Sequence, residues 1–151
     1  EPDAVVILPF TVDDTVVIIK EWRQAVERYN YGLPAGSIEA DESLEEGAQR
    51  ELQEETGYEA NSISHLVSIE PSNGLLNTVH HHFVAYDCEQ IGDQRLDNDE
   101  SIAVDTTNLA TLQDKILTNE INDGRTILNV LYYQFAQTQY EYFDASTHGN
   151  S

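Results

Sequence analysis

Three carboxylates, Glu51, Glu54 and Glu55, stand at the spacing that places side chains on one side of a helix. At about 100° per residue, they fall within an arc of roughly 100°. Like charges this close repel one another and raise one another's pKa values unless a cation lies among them. A hard divalent cation with oxygen ligands would relieve that repulsion. The spacing therefore predicts a metal-dependent enzyme as the leading function.

The helix that carries these acids has an apolar stripe formed by Leu44, Ala48 and Leu52. The same angular arithmetic places the acids beside this stripe, so they should face the edge of the core, where solvation is poorer. Asp41 or Ser43 is predicted to cap the start of the helix, and Gly57 to end it. Gly47 lies inside the helix, where it is expected to cost about 1 kcal/mol relative to alanine.

The rest of the chain predicts strands on both sides of this helix and two further helices. Strands are predicted at 4–10, 15–20, 63–70, 78–86 and 101–105, and helices at 109–117 and 124–139. The segment 22–31 is a mixed polar and aromatic stretch, and 33–36 is a breaker and turn. Asp123 should cap the last helix, whose predicted apolar face is Ile127, Leu128, Leu131, Tyr132 and Phe135. This order predicts an α+β fold with helices packed on a mixed sheet.

Composition argues against several classes of function. A chain of 151 residues fits one domain, and a net charge of -21 should repel polyanions, so nucleic acid is not an expected partner. The longest apolar runs are too short to cross a bilayer, so no membrane partner is expected either. Cys88 is alone and no signal-peptide pattern opens the chain, which predicts a reducing, cytoplasmic location. The chain begins with Glu1 and contains no Met, so we expect a processed protein or an excerpt.

The acidic helix belongs to a longer pattern. Gly36 is followed by five residues, Glu42, seven residues and then Arg50-Glu51-Leu52-x-Glu54-Glu55-x-Gly57-Tyr58. This resembles the Nudix box of the Nudix hydrolases, with Tyr58 as the mildest departure, because the family usually has an aliphatic residue there. The resemblance implies a Nudix-like α/β/α sandwich with a mixed central sheet. It assigns residues 1–143 to a single Nudix hydrolase domain and 144–151 to a polar tail that is expected to fray.

Short matches outside the box indicate one branch of the family. They are Trp22-Arg23, Leu33-Pro34-Ala35-Gly36, Pro71-Ser72-x-Gly74, Asp99-Glu100-x-Ile102 and Asp123-x-x-Thr126. Together they look like the branch of ADP-ribose and nucleotide-sugar pyrophosphatases. That branch implies Mg²⁺-dependent hydrolysis of a nucleoside diphosphate linked to another moiety, with Mn²⁺ as an alternative metal. The products would be a nucleoside monophosphate and a sugar phosphate, and the branch also allows a homodimer.

The resemblance also implies roles for single residues. Glu51, Glu54 and Glu55 would be the metal ligands, joined by a backbone carbonyl near Ala35 or Gly36, of which Gly36 matches the box. Arg50 would orient a box glutamate, and Glu42 would brace the box from its loop. Glu100 is the best match for a general base, although Asn98 replaces a second glutamate that the branch often carries. Arg23 matches an arginine that is common in the branch, and Arg28 lies nearby in the sequence. Both are candidates for contact with the substrate phosphates, with pairing to local acids as the alternative. Gly32 departs from the glutamate that often precedes Leu-Pro-Ala-Gly, which puts adenine selectivity in doubt.

Two other functions stay open. The same fold could hydrolyse nucleoside triphosphates or dinucleoside polyphosphates, or it could be a non-catalytic domain that senses such a metabolite. The run His80-His81-His82 suggests a metal site, but strand geometry puts His81 on the opposite face from the other two. We therefore expect these histidines to be strand residues with local hydrogen bonds.

Overall fold

In the computed structural model, residues 2–97 and 101–148 are described, and their backbone forms eight strands and three α-helices. The strands are β1 (Ala4–Thr11), β2 (Val16–Arg23), β3 (Arg28–Gly32), β4 (Ala35–Ser37), β5 (Tyr58–Glu59), β6 (Ser62–Ile69), β7 (His80–Gln90) and β8 (Ile102–Thr107). The helices are α1 (Leu44–Thr56), α2 (Leu109–Leu117) and α3 (Gly124–His148), and a 3₁₀ turn spans Gln24–Val26. None of the described helices combines the length and apolar character that crossing a membrane requires.

The strands form one mixed sheet in which β1 and β7 are parallel neighbours at the centre. The remaining pairings, of β2, β3, β4, β5, β6 and β8, are antiparallel. Successive side chains of β1 alternate between two apolar layers. Val5 and Ile7 pack with Leu52 of α1 on one face, whereas Val6 and Leu8 belong to the layer that α2 and α3 cover. The predicted sandwich with a mixed central sheet is confirmed.

One edge of β1 changes its partner partway along the strand. At its beginning, Ala4–Val6 pairs with β4, and at its end, Phe10 pairs with Val16 of β2. The chain between β3 and β4 passes through this divergence at Leu33 and Pro34, both buried. Because β4 pairs only with β1 in the described sheet, its other edge is turned toward α1. This exposed backbone edge is the feature on which the candidate site is built.

Helix α1 begins with a complete capping box. The Ser43 hydroxyl accepts from the Glu46 amide at 3.1 Å, and the Glu46 carboxylate accepts from the Ser43 amide at 3.0 Å. Ser43, rather than Asp41, is therefore the cap. Gly57 ends the helix in the left-handed region at φ 76, as predicted.

The segment 22–37 differs most from the sequence prediction. The structure continues β2 to Arg23, turns through Gln24–Val26 and returns as β3, and it forms β4 where only a turn was predicted. The sequence signal was weak because only one residue of β3 is buried and the strand lacks clean alternation, and because β4 has three residues, two of them Ala and Gly. Strand β7 also runs past its predicted end to Gln90, because β5 pairs with its last residues.

The predicted apolar face of α3 is partly wrong. Leu131, Tyr132 and Phe135 are exposed by 51%, 37% and 63%, whereas Thr126 and Asn129 are fully buried beside Val130. The helix is turned this way because both polar residues are hydrogen-bonded inside the fold, which hydrophobicity alone does not reveal. Its backbone also stays helical to His148, through the start of the predicted tail, since no Gly or Pro interrupts 125–148.

Candidate active site

The free edge of β4 is defined by its hydrogen-bond register with β1. Bonds flank the short ladder on both sides: the Ile7 amide donates to the Pro34 carbonyl at 3.0 Å and the Ile38 amide to the Asp3 carbonyl at 2.9 Å. Bonded and non-bonded pairs alternate in an antiparallel ladder, so Gly36, opposite Val5, belongs to the bonded set. Ala35 and Ser37 therefore turn their amides and carbonyls away from β1 and toward α1.

Side chains of α1 use this free edge directly. The Ala35 amide donates to Glu55 Oε2 at 3.1 Å, and Arg50 Nη2 donates to the Ser37 carbonyl at 2.9 Å. Glu55 is only 8% exposed, so its contact with the amide lies in a poorly solvated place. A strand residue directs its carbonyl to the same side as its amide, which puts the Ala35 carbonyl on the side of Glu55. The sequence analysis left open whether the carbonyl of Ala35 or that of Gly36 would be a metal ligand. This register favours the carbonyl of Ala35.

Gly36 has a steric role instead. A Cβ atom added at this position would overlap the carboxylate of Glu51. The glycine therefore lets this side chain lie directly against the β4 backbone. Position 36 needs the absence of a side chain rather than a special backbone angle.

Arg50 holds the acids of the box together. Its Nε and Nη2 form a two-pronged bond to Glu42 at 3.0 and 2.8 Å, and its Nη1 donates to Glu51 at 2.9 Å and to Glu54 at 3.0 Å. Together with the bond to Ser37, these contacts use the whole planar fork of a guanidinium. The predicted role of Arg50, orientation of a box glutamate, stays a prediction, and its contacts reach two of these glutamates.

The three box carboxylates are not gathered as tightly as their spacing suggested. Within residues 2–97 and 101–148, no three acidic, His or Cys side chains converge closely enough to hold a metal ion. Arg50 draws Glu51 and Glu54 toward itself, while Glu55 is directed at the Ala35 amide. The positive charge beside Glu51 and Glu54 is thus the guanidinium of Arg50.

Glu42 is the most specific partner of Arg50. The bonds from Arg50 hold the pKa of the Glu42 carboxyl below its usual range, and the negative partners raise the pKa of Arg50. The Glu39 amide also donates to Glu42, at 2.8 Å, which fixes the loop before α1. A Cβ at Gly47 would lie 3.0 Å from Glu42 Oε1, so this helix glycine makes room for the pair. Glu42 thus contacts the box through Arg50, and its bracing role stays a prediction.

A small pocket adjoins the same backbone segment on the side of β2 and β3. Arg23, Gly32, Leu33, Asp123 and Arg125 are among the residues that line it. Its volume of about 100 Å³ is too small for a whole nucleotide, so it could accept one part of a substrate. Arg23, predicted to contact substrate phosphates, therefore lines this pocket. Its guanidinium is also 3.2 Å from Glu21.

Two other arginines lie near this pocket, and a larger cavity lies elsewhere near β5. Arg28 is the cross-strand neighbour of Arg23 at the turn end of the β2–β3 hairpin. Arg125, which the sequence prediction had missed, lines the pocket and lies 3.4 Å from Asp123. A larger cavity of about 480 Å³ near β5 is lined by Glu59, Asp87 and Glu89, and those charges would repel an anionic ligand.

The acidic segment that follows β7 is anchored to the last turn of α1. The Gln94 side chain donates to the carbonyls of Glu55 at 2.7 Å and Ile102 at 3.0 Å, and the Arg95 amide donates to the Glu54 carbonyl at 2.7 Å. These anchors bracket the segment that includes Glu100, the predicted base. Glu100 itself lies outside the described residues.

The three histidines follow the strand-face prediction. His81 bonds Ser68 at 2.7 Å on one face, and His82 contacts Asn129 at 3.1 Å on the other. His82 is fully buried, and burial lowers its pKa to about 4, so it is neutral at pH 7. The run is therefore part of the sheet and of its packing against α3.

Comparisons with known proteins find similarity along most of this chain. A protein-family comparison matches the NUDIX domain to residues 1–128. The chain is 31% identical over 137 residues to an ADP-ribose pyrophosphatase of Bacillus subtilis (strain 168), covering 90% of this chain and 74% of the relative. It is 30% identical over 127 residues to the ADP compounds hydrolase NudE of Escherichia coli (strain K12), covering 83% and 66%. A crystal structure of an ADP compounds hydrolase superposes with a TM-score of 0.77 at 27% identity, covering 91% and 74%.

The first prediction concerns Gly36. Gly36→Ala should displace the Glu51 carboxylate while leaving the fold intact, because the overlap falls on the end of a flexible side chain. We expect Mn²⁺ affinity, measured by isothermal titration calorimetry, to fall by about 10-fold or more. Gly74→Ala is the matched control, since nothing lies within 4 Å of the Cβ that it would add. Equal Mn²⁺ affinity in the two variants would contradict the role given to Gly36.

The second prediction concerns the pH dependence of the Glu42–Arg50 pair. Glu42→Gln should lower the free energy of unfolding at pH 7 by about 1 to 2 kcal/mol, because it weakens a charged two-pronged bond that is partly open to solvent. The folded-state pKa of Glu42 lies below its ordinary 4.5, so its stabilisation is full above that value and is lost as pH falls through the folded-state pKa.

The gap between wild type and Glu42→Gln should therefore close under acid, which thermal unfolding across a pH series measures. Glu45→Gln, an exposed change on the same helix, is the control and should show little of this pattern. A difference between wild type and Glu42→Gln that stays constant down to about pH 3 would refute the linkage.

Proposed function

The chain belongs to the NUDIX domain family of hydrolases, and from that premise we propose that it cleaves the pyrophosphate bond of a nucleoside diphosphate linked to another moiety. The proposed substrate is ADP-ribose or a nucleotide sugar, and the proposed cofactor is Mg²⁺. The products would be a nucleoside monophosphate and a sugar phosphate. One observation carries the proposal: the free backbone edge of β4 faces the carboxylates of α1 at contact distance.

The chemical types of the oxygen ligands at this edge suit a hard divalent cation. Carboxylate and backbone carbonyl oxygens are the ligands that Mg²⁺ prefers, and it needs only a few because it keeps several waters. Glu51, Glu54 and Glu55 would hold it, together with the carbonyl of Ala35 rather than that of Gly36. When bound, the ion supplies positive charge that polarises phosphoryl oxygens and makes bound water more acidic.

The chain's own residues then have separate tasks. Hydrolysis forms a bond from a water oxygen to phosphorus and breaks the anhydride P–O bond, whose electron pair leaves with the departing phosphate. The Ala35 amide and Arg50 hold the box carboxylates in fixed directions before substrate arrives, which is the kind of preorganisation that catalysis by positioning needs. Arg50 also limits the repulsion between these acids and an anionic substrate.

A base must accept the proton of the attacking water. We keep Glu100 as the proposed base, with support from the anchoring of Gln94 and Arg95 to the last turn of α1 on the N-terminal side of its segment. A box glutamate acting on bound water is the alternative. A Glu100→Gln variant distinguishes them, because an unchanged maximal rate would remove Glu100 from the role.

The pocket beside Leu33 supports a role for Arg23 in substrate binding. It adjoins the metal-binding edge through the short segment from Leu33 to Ala35, so a substrate held at the carboxylates could extend into it. Arg125 adds a second cation to the lining. Both arginines have acidic neighbours, so the pocket combines positive charge with polar acceptors. This character suits a phosphate or sugar portion.

The relatives favour a diphosphate-linked substrate over the alternatives. Two relatives that match most of this chain are named for ADP-ribose and for ADP compounds. All three box acids and their arginine are present and hydrogen-bonded, which favours catalysis over a purely sensing role. A substrate panel separates the two hydrolytic options.

The third prediction is therefore a rate comparison with Mg²⁺. Wild type should release a nucleoside monophosphate from ADP-ribose or a nucleotide sugar faster than it hydrolyses ATP or a dinucleoside polyphosphate. Glu55→Gln should reduce the maximal rate by about 10²-fold or more, the scale for losing one key electrostatic group. Glu59→Gln, an exposed change on β5, is the control and should keep the wild-type rate. Equal turnover by wild type and Glu55→Gln would overturn the assignment.

The fourth prediction concerns the two hairpin arginines. Arg23→Gln should raise KM by about 10-fold with a smaller change in kcat, on the scale of one lost charge-assisted contact. Arg28→Gln is the matched change on the facing strand and should have the weaker effect, because Arg23 lines the pocket beside Leu33. Steady-state kinetics on the best substrate of the panel measures both. An unchanged KM in Arg23→Gln would remove this residue from the binding site.

A further inference from the structure

Helix α3 contacts the segment that leads into β4 through one buried hydroxyl group. The Leu33 amide donates to Thr126 Oγ1 at 3.1 Å, and Thr126 Oγ1 lies 2.7 Å from Asp123 Oδ2. Thr126 is fully buried, and Leu33 is 3% exposed. The single hydroxyl proton of Thr126 is donated to the Asp123 carboxylate in a hydrogen bond. The lone pairs of the hydroxyl oxygen can therefore accept the hydrogen bond from the Leu33 amide. The order of donors in this chain of bonds is therefore fixed.

Asp123 holds the hydroxyl in place because it is also the N-cap of α3. Its Oδ2 accepts from the Thr126 amide at 3.2 Å, and its backbone carbonyl accepts from the Ile127 amide at 3.0 Å. Gly32 completes the arrangement, since a Cβ there would lie 3.1 Å from Thr126 Oγ1 and press on it. The Thr126 hydroxyl thus contacts the Leu33 amide beside Gly32, where a larger side chain would hinder the contact.

Leu33 and Ala35 are joined by Pro34, whose restricted backbone makes the position of Ala35 depend on that of Leu33. Proline has a fixed φ, and the carbonyl of Pro34 is held by the Ile7 amide at 3.0 Å. Ala35 is then bonded to Glu55 at 3.1 Å. The segment is consequently held by α3 at its start and by α1 two residues later, from opposite faces of the sheet.

We propose that Thr126, oriented by Asp123, is a positioning residue of the hydrolytic site, which fixes the Leu33–Ala35 backbone so that the Ala35 peptide faces Glu55. The proposal rests on the proposed function, because it concerns the edge that would hold the metal. Removing the hydroxyl should leave the Leu33 amide without its acceptor and let this edge shift. The expected result is weaker metal binding, with little direct effect on substrate affinity.

The fifth prediction compares variants that separate positioning from stability. In Thr126→Val, of nearly the same shape, we expect the Mn²⁺ dissociation constant of the substrate-free protein to rise by about 10-fold, the scale for residues that orient metal ligands. Electron paramagnetic resonance of free Mn²⁺ measures it without reference to activity. Thr126→Ser keeps the hydroxyl and should restore wild-type binding. Val130→Ala removes buried apolar volume one turn further along α3 and should lower stability without changing the dissociation constant.

The outcomes distinguish this proposal from the proposed function. An Mn²⁺ dissociation constant in Thr126→Val equal to that of wild type, or a shift no larger than in Val130→Ala, would overturn the positioning role alone. If Thr126→Val does not fold, Thr126→Ala is measured in its place, with the same expectation and the same contrary result. Wild type that binds Mn²⁺ no better than Glu55→Gln, and that hydrolyses no member of the panel, would instead refute the proposed function.

Discussion

The site depends on one electrostatic constraint, which is the need to keep several carboxylates close together on one helix. Arg50 meets this constraint with a single side chain that contacts Glu42, Glu51 and Glu54 at once. A lysine could not replace it, because a point charge lacks the planar fork that reaches partners in different directions. The guanidinium also bonds the Ser37 carbonyl, so the charge cluster is tied to the sheet as well as to its own helix.

The backbone half of the site follows from the way β1 shares its edge. Because β4 takes the first part of that edge and β2 the last, the intervening chain can leave the plane of β2 and present its outer side to α1. Alternation in the ladder then decides which peptide groups are free. A shift of one residue in this register would direct the Gly36 peptide, and not the Ala35 peptide, toward Glu55, so the register is itself a functional feature.

The sequence predicted the helix of the box best, because capping, periodicity and acid spacing all agree there. Ser43, Gly57 and the pairing of Arg50 with its glutamates needed only local information. The sequence did not reveal β4, whose three residues form a strand because β1 supplies partners far away in the chain. The same limit applies to α3, where buried Thr126 and Asn129 find hydrogen-bond acceptors or donors on distant strands and loops. Local patterns predicted the candidate metal ligands, and long-range pairing decided which atoms face each other.

A net charge of -21 is compatible with an anionic substrate because charges act over short distances in salt. At physiological ionic strength, exposed charges more than about 8 Å away are largely screened, so the local balance matters more than the total. Four of the seven Lys and Arg residues lie on or beside the box helix or line the pocket beside Leu33, namely Arg50 and Arg95 at the helix and Arg23 and Arg125 at the pocket. The negative charge elsewhere on the surface should repel large polyanions. A small diphosphate that reaches the site would meet its few cations first, and this distribution favours a compact anion over a nucleic acid.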